Sequence, residues 1–217
     1  MPFFVGLDLG QSQDYTALAV IHQLPTAAPR SERELHLRHL ERYPLRTPYP
    51  DMVDRVGRLL SDPKLTLTEL DPTRAQYKTY RPTLVVDSTG VGTAVTDMVR
   101  KAGIRFVGVT ITGGDTVNCS GQSWRVPKRD LVGALEVPFH TNRLKVARGL
   151  TLWPTLKEEL LNFRRKVDLR TAHDAYEHWR ESDHDDLVLA CALACWQATK
   201  KVSHLKAVGV DGRIRVI

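Results

Sequence analysis

Four aspartates flank apolar runs, where an unpaired charge is expensive. Asp8 closes Phe3-Phe4-Val5-Gly6-Leu7, Asp87 closes Leu84-Val85-Val86, and Asp185 and Asp186 open the apolar stretch HDDLVLACALACWQAT at 184–199. A carboxylate beside a buried run must be paired, hydrogen-bonded or bound to a cation. If the strands ending on Asp8 and Asp87 are neighbours, the two acids lie side by side at the carboxyl edge of a sheet. A helix packed on that edge adds Asp186. Like charges within several Å of one another repel, and a divalent cation relieves them. No His/Cys cluster accompanies the acids, and hard oxygen donors suit Mg²⁺ or Mn²⁺ better than zinc. Each acid also has an ordinary reading. Asp8, just ahead of Gly10, serves as a turn acid. Asp87 caps the helix that follows it, and Asp185 or Asp186 caps the last helix and answers its dipole.

The elements that must hold these acids follow from periodicity. Residues 3–9 and 16–24 read as strands, separated by a polar turn containing Gly10 and Asp14. In ELHLRHLERY, 34–43, the apolar Leu35, Leu37, Leu40 and Tyr43 stand between charges, which predicts a third strand with one solvated face in an antiparallel meander. Met52, Val53, Val56, Leu59 and Leu60 follow Pro50-Asp51 at helical spacing and predict an amphipathic helix over 50–61. The polar, proline-punctuated 62–82 reads as a loop. A strand ending on Asp87, a Ser-Thr-Gly-Val-Gly turn, a helix over 91–102 ended by Gly103 and a strand over 104–111 form a βαβ unit, so the sheet is mixed. The Gly-, Thr- and Ser-rich 112–122 reads as a mobile loop. A helix over 127–140 with Pro127 in its first turn, a brief strand at 144–146 and an amphipathic helix over 153–166 follow. Residues 167–182 are charged and unpatterned, long enough for a hairpin or lid. The helix over 184–199 is apolar almost all round after its first turn.

The totals bound the class. A chain of 217 residues, 42% hydrophobic, can bury a sizeable core in one globular domain. No apolar run approaches the roughly 20 residues of a membrane span. The N-terminus shows no basic flank followed by a long apolar stretch, as a signal peptide would. Three cysteines, Cys119, Cys191 and Cys195, form no paired framework and fit a reducing compartment, with Cys191 and Cys195 as small core residues on one helix face. A net charge of +6 and a pI near 9.3 favour polyanionic partners only slightly.

The order strand-acid, hairpin, strand-acid, acid-headed apolar helix resembles the RNase H-like nuclease superfamily, and within it the nuclease domain of bacteriophage large terminase subunits. The resemblance is carried by Gly6-Leu7-Asp8 with Asp14-Tyr15-Thr16-Ala17, by Val85-Val86-Asp87-Ser88-Thr89-Gly90-Val91-Gly92, by Val126-Pro127-Lys128-Arg129-Asp130-Leu131 and by His184-Asp185-Asp186-Leu187-Val188. It spans residues 3–198. It implies an α/β, RNase H-like fold: a mixed central sheet, antiparallel in its first three strands and then parallel, flanked by helices. Residues 1–200 form the nuclease domain and 201–217 a peripheral tail.

The same resemblance implies a metal-dependent endonuclease that cleaves duplex DNA with little sequence specificity during viral genome packaging. Asp8, Asp87 and Asp186 then hold two Mg²⁺ or Mn²⁺ ions, spaced about 3.5–4 Å apart, that clamp the attacking and departing oxygens of the phosphodiester. Asp185, about 100° round the helix axis from Asp186, is a further ligand or an outer partner, and Asp183 ranks below both. His184 orients the leaving group or a water, or is simply solvated; Asp14 approaches the second ion or serves its turn. A full large terminase also carries an ATPase motor, whose GxxxxGK[ST] signature this chain lacks, so the chain reads as a separate nuclease half. The implied partners are double-stranded DNA, an ATPase motor domain, the portal and the small terminase subunit. The implied location is the cytoplasm of an infected bacterial host, with no membrane contact.

Phosphate contacts are expected from Arg125, Lys128 and Arg129, from Arg164, Arg165 and Lys166, and from Lys200-Lys201, each also readable as a solvated basic face. Lys128 and Arg129 open a helix, where backbone N–H groups favour anions and cations are mildly unfavourable. Trp124 and Trp179 are expected to pack locally rather than stack on DNA. Three other functions fit parts of the pattern. A sugar-kinase, actin or Hsp70-like ATPase also opens on strand, Asp, Gly and an apolar return, and is marked by nucleotide binding. A junction resolvase or transposase prefers branched DNA. A docking domain is indifferent to Asp87→Ala.

Overall fold

The structure, a computed structural model, describes residues 2–10, 14–24, 33–71, 75–90, 92–168 and 185–200. The first three strands form the antiparallel part of the main sheet. β1 (Phe3–Asp8), β2 (Ala17–Leu24) and β3 (Glu34–Arg42) pair antiparallel, as the alternation in 34–43 and the short polar turn require. After α1 (Tyr49–Leu60), the chain reaches β6 (Thr83–Asp87), which lies parallel to β1. α2 (Gly92–Lys101) crosses over to the parallel β7 (Phe106–Thr112), completing the βαβ unit. The order across the eight-stranded sheet is β10 (Leu144–Val146), β3, β2, β1, β6, β7, β9 (Ser123–Pro127), β8 (Asn118–Ser120), so β1 and β6 are central neighbours.

Two apolar layers sandwich this sheet, and strand parity assigns each side chain to one of them. Phe3, Val5, Leu7, Leu84 and Val86 meet α1 and α2 on one face. Phe4, Val85, Ala17 and Ala19 meet the other face, where α3 (Lys128–His140), α4 (Trp153–Asp168) and α5 (Asp186–Thr199) pack. α5 is apolar all round because it has protein on all sides: sheet beneath it, α3 and α4 beside it. Cys191 and Cys195 are buried within it as free thiols, pushed up well above the usual thiol range by burial.

Two expected loops contain strands. Within 62–82, a single 3-10 turn (Pro63–Leu65) is followed by β4 (Leu67–Asp71) and β5 (Gln76–Tyr80), which pair with each other as a separate two-stranded ribbon. The Thr and Tyr residues favour extended backbone there, a preference that polar neighbours mask in a hydrophobicity reading. Within 112–122, β8 (Asn118–Ser120) hairpins onto β9 (Ser123–Pro127), and β9 joins the main sheet parallel to β7. Gly121, with φ of 62°, occupies the first central position of the two-residue turn, where a positive φ is needed. β9 ends on Pro127, so this proline precedes α3 rather than lying inside it. The brief strand at 144–146 is β10 (Leu144–Val146), pairing parallel with β3.

Candidate active site

Three of the four aspartates reach one place through strand parity and one close contact. Leu7 pairs with Val86 in the parallel β1–β6 ladder, so Asp8 and Asp87 end adjacent strands one residue further on. Asp8 shares its face with Phe4 and Gly6, and Asp87 shares its face with Val85; both are on the α5 side of the sheet. Gly6 fixes the height of α5 above them. A Cβ on Gly6 would stand 2.0 Å from the carbonyl oxygen of Ala190 and 3.0 Å from the backbone nitrogen of Ala194, so the helix rides directly on the strand backbone. Asp186 lies four residues before Ala190 on the same helix face, and Asp8 lies two residues beyond Gly6 on the same strand face. The three carboxylate residues Asp8, Asp87 and Asp186 are 7%, 8% and 5% exposed.

The electrostatics report the same convergence. Burial holds the Asp8 carboxyl well above its usual range, and Asp87, Asp186 and Asp185 push it further up, in that order; Lys128 pulls it down. Each neighbour has a protein partner of its own. Asp87 Oδ1 accepts the N–H of Thr89 at 2.8 Å, so the turn reading of this acid is realised alongside its place in the cluster. Asp186 Oδ2 lies 3.5 Å from Arg42 Nη2, and Asp185 Oδ2 lies 4.0 Å from Lys128 Nζ. Among the described residues no three His, Cys, Asp or Glu side chains are drawn together into a finished metal cage. The acids share one end of the sheet. As a donor set they fit a hard divalent ion: all oxygen, buried, and carrying more negative charge than Lys128 and Arg42 offset.

Glu159 and Arg42 were not singled out by their sequence. Asp185 is the N-cap of α5 but makes no side-chain cap bond. Glu159, reaching across from α4, accepts the N–H groups of Leu187 and Val188 at 3.1 and 3.2 Å with Oε2, while Oε1 pairs with Arg42. Arg42 also stacks on the Tyr15 ring at 4.7 Å. Burial pushes Glu159 up to about 7 against the pull of Arg42 and the two backbone N–H groups, with Asp186 adding to the rise. The sequence signal was an acid in the inward stripe of α4, between the core residue Leu156 and the partly buried Leu160.

The remaining candidates are dispersed. Asp14 is exposed at the turn before β2. Asp183, His184, Trp179 and Lys201 lie outside the described residues, as does the stretch 169–184; Arg164, Arg165 and Lys166 fall on α4 with side chains outside them. Arg125 is exposed on β9. Lys128 is three-quarters or more buried against the acids, whereas Arg129 points outward and pairs with Asp115 at 2.6 Å. Trp124 packs edge-on against Trp196 at 5.6 Å with Lys200 over its ring at 2.9 Å, which is local packing.

No protein-family model and no curated protein matches the chain. Among solved structures, the large terminase nuclease from thermophilic phage G20c is similar over 90% of this chain and 82% of its own, with a TM-score of 0.55 at 22% identity. The human cytomegalovirus terminase nuclease domain matches over 90% and 82% with a TM-score of 0.49 at 13% identity. Thermus thermophilus RuvC matches over 91% and 93% with a TM-score of 0.38 at 16% identity. The strand order, antiparallel and then parallel, and the superposition on the G20c nuclease over nine-tenths of the chain give this protein an RNase H-like fold.

Proposed function

We propose that this protein is a metal-dependent endonuclease that hydrolyses the phosphodiester backbone of duplex DNA, acting in viral genome packaging. The observation that carries the reading is the gathering of Asp8, Asp87 and Asp186 at one end of the sheet, with Asp8 held above its usual range by burial and, after it, by its acidic neighbours. Two buried strands and a packed helix fix those carboxylates, and such rigidity is what a phosphoryl site needs. When bound, a pair of Mg²⁺ or Mn²⁺ ions supplies activation of the attacking water and stabilisation of the departing 3′ oxygen. Asp8 and Asp87 would hold the ions from the strand ends and Asp186 from α5, with Asp185 as a further ligand. Lys128, beside the acids, supplies a cation where the scissile phosphate would lie, and the exposed Arg125 and Arg129 favour the flanking backbone. Arg164, Arg165 and Lys166, in the sequence of α4, are the further candidates for phosphate contacts.

In this reading residues 1–200 are the nuclease unit; the expected peripheral tail, 201–217, lies outside the described residues. Its partners are double-stranded DNA, a motor ATPase, the portal and the small terminase subunit, in the host cytoplasm. Among the described residues no helix is long and apolar enough to cross a membrane.

Supercoiled plasmid incubated with the protein and Mn²⁺ is expected to be nicked and then linearised. Asp8→Ala and Asp87→Ala are expected to abolish this while circular dichroism shows a folded chain. Persistent cutting by both variants, or nucleotide binding by a wild-type protein that nicks nothing, overturns the proposal; the second outcome favours the sugar-kinase-like ATPase.

A further inference from the structure

Resting on the nuclease reading, we infer that Glu159 is the positioning residue for Asp186: it seats the first turn of α5 and anchors the arginine that faces the Asp186 carboxylate. A helix N-terminus leaves its first N–H groups without intrahelical partners, and a side chain at the N-cap ordinarily takes those of the second and third residues. The N-cap here, Asp185, takes neither. Glu159 takes both, Leu187 at 3.1 Å and Val188 at 3.2 Å, from a different helix. Asp185 is thereby left to Lys128 and the acid cluster. The cap is thus supplied across a tertiary contact, and it ties the height and rotation of the α5 start to α4.

The second oxygen of Glu159 extends the control to the side chain. It pairs with Arg42, whose guanidinium lies 3.5 Å from Asp186 Oδ2 and stacks on Tyr15 at 4.7 Å. Arg42 therefore stands between two carboxylates. With Glu159 present, its charge is divided between them. Without Glu159, Arg42 would turn its full charge on Asp186 and draw that carboxylate away from Asp8 and Asp87. Glu159 occupies the inward stripe of α4 with a relative exposure of 6%, a place an apolar side chain could fill without the cost of burying a charge. A cap alone does not need the arginine, and an ion pair alone does not need the two backbone N–H groups; the arrangement uses both oxygens on one target.

Mn²⁺ binding to the full chain, followed by titration calorimetry, tests the inference. Asp87→Ala, which should lose both Mn²⁺ binding and nicking, checks the nuclease reading separately. Glu159→Ala is expected to weaken Mn²⁺ binding by about 10-fold or more, in the range found for residues that orient metal ligands, and to raise the metal concentration needed for half-maximal nicking. Glu159→Gln keeps an acceptor for the helix N–H groups and is expected to fall between wild type and Glu159→Ala. If Glu159→Ala does not fold, Glu159→Gln decides alone, through weaker Mn²⁺ binding in a folded protein. Unchanged Mn²⁺ affinity in the folded variants, with only a lowered melting temperature, overturns the inference and leaves Glu159 a structural cap. A wild-type protein that binds no Mn²⁺ fails the nuclease reading and the inference with it, whereas failure of the Glu159 variants alone leaves that reading standing.

Discussion

Gly6 shows how much of the site depends on the absence of a side chain. The strand pattern requires an apolar residue facing the helix layer at this position, and any Cβ there would run into the backbone of Ala190. Backbone cannot step aside as a flexible side chain can, so Gly6→Ala must lift α5 or bend β1. The expected cost is about 1–3 kcal/mol in urea unfolding, the range for overpacking a close contact. Because Asp186 travels with α5, nicking should fall more than the lost stability accounts for. An alanine variant with wild-type nicking would separate the close approach from the chemistry. Asp8 and Asp87 differ from Gly6 in legibility: each marks itself by ending an apolar run. Glu159 does not, since a glutamate on an amphipathic helix ordinarily faces water, and only the packing of α4 on α5 turns it inward.

At the scale of elements, α5 is the piece most readable from sequence and most dependent on its neighbours. Its all-round apolar surface predicts complete burial, and the flanking helices and sheet provide it. A direct consequence concerns the thiols. Cys191 and Cys195 are buried and held protonated, while Cys119 is exposed on β8. A thiol reagent such as DTNB should titrate one of the three cysteines in the native protein and all three in denaturant. Rapid native reaction of a second thiol would mean that α5 is not seated as described. The strands β4, β5, β8 and β9 were harder to read because they are short and polar-faced. A two-stranded ribbon or an edge hairpin buries too little to write a clear apolar alternation.

For the whole molecule, the clustered acids tie stability to pH. Glu159 has an unperturbed value of 4.5 and is pushed up to about 7 by burial, and Asp8 is raised above 3.8. Between those values the folded protein holds protons that the unfolded chain has released. Stability contributed by the protonated groups is fully present below the unfolded values and is lost as pH rises through the folded ones. His22, lowered to about 4 chiefly by burial, works the other way up to its ordinary value of 6.5. Above that the metal-free melting temperature should fall toward pH 8, and Mg²⁺ or Mn²⁺ should restore more of it at pH 8 than at pH 6.5. A melting temperature that climbs across this window without metal would contradict the electrostatic picture of the site.

The sequence by itself determined the local facts: which apolar runs are strands, where they stop on an acid, that the last helix is buried all round, and that the acids come without a His/Cys cluster. Burial and periodicity are written within a few residues of one another, so these features survive without coordinates. The tertiary structure alone decided which segments touch. It set β1 beside β6, brought Asp186 over them through the Gly6–Ala190 contact, turned Lys128 toward the acids and Arg129 toward Asp115, and supplied the α5 cap from Glu159 rather than from Asp185. Those choices rest on contacts between segments many tens of residues apart, and the free energy that selects among them comes from packing the whole sheet between its two helix layers.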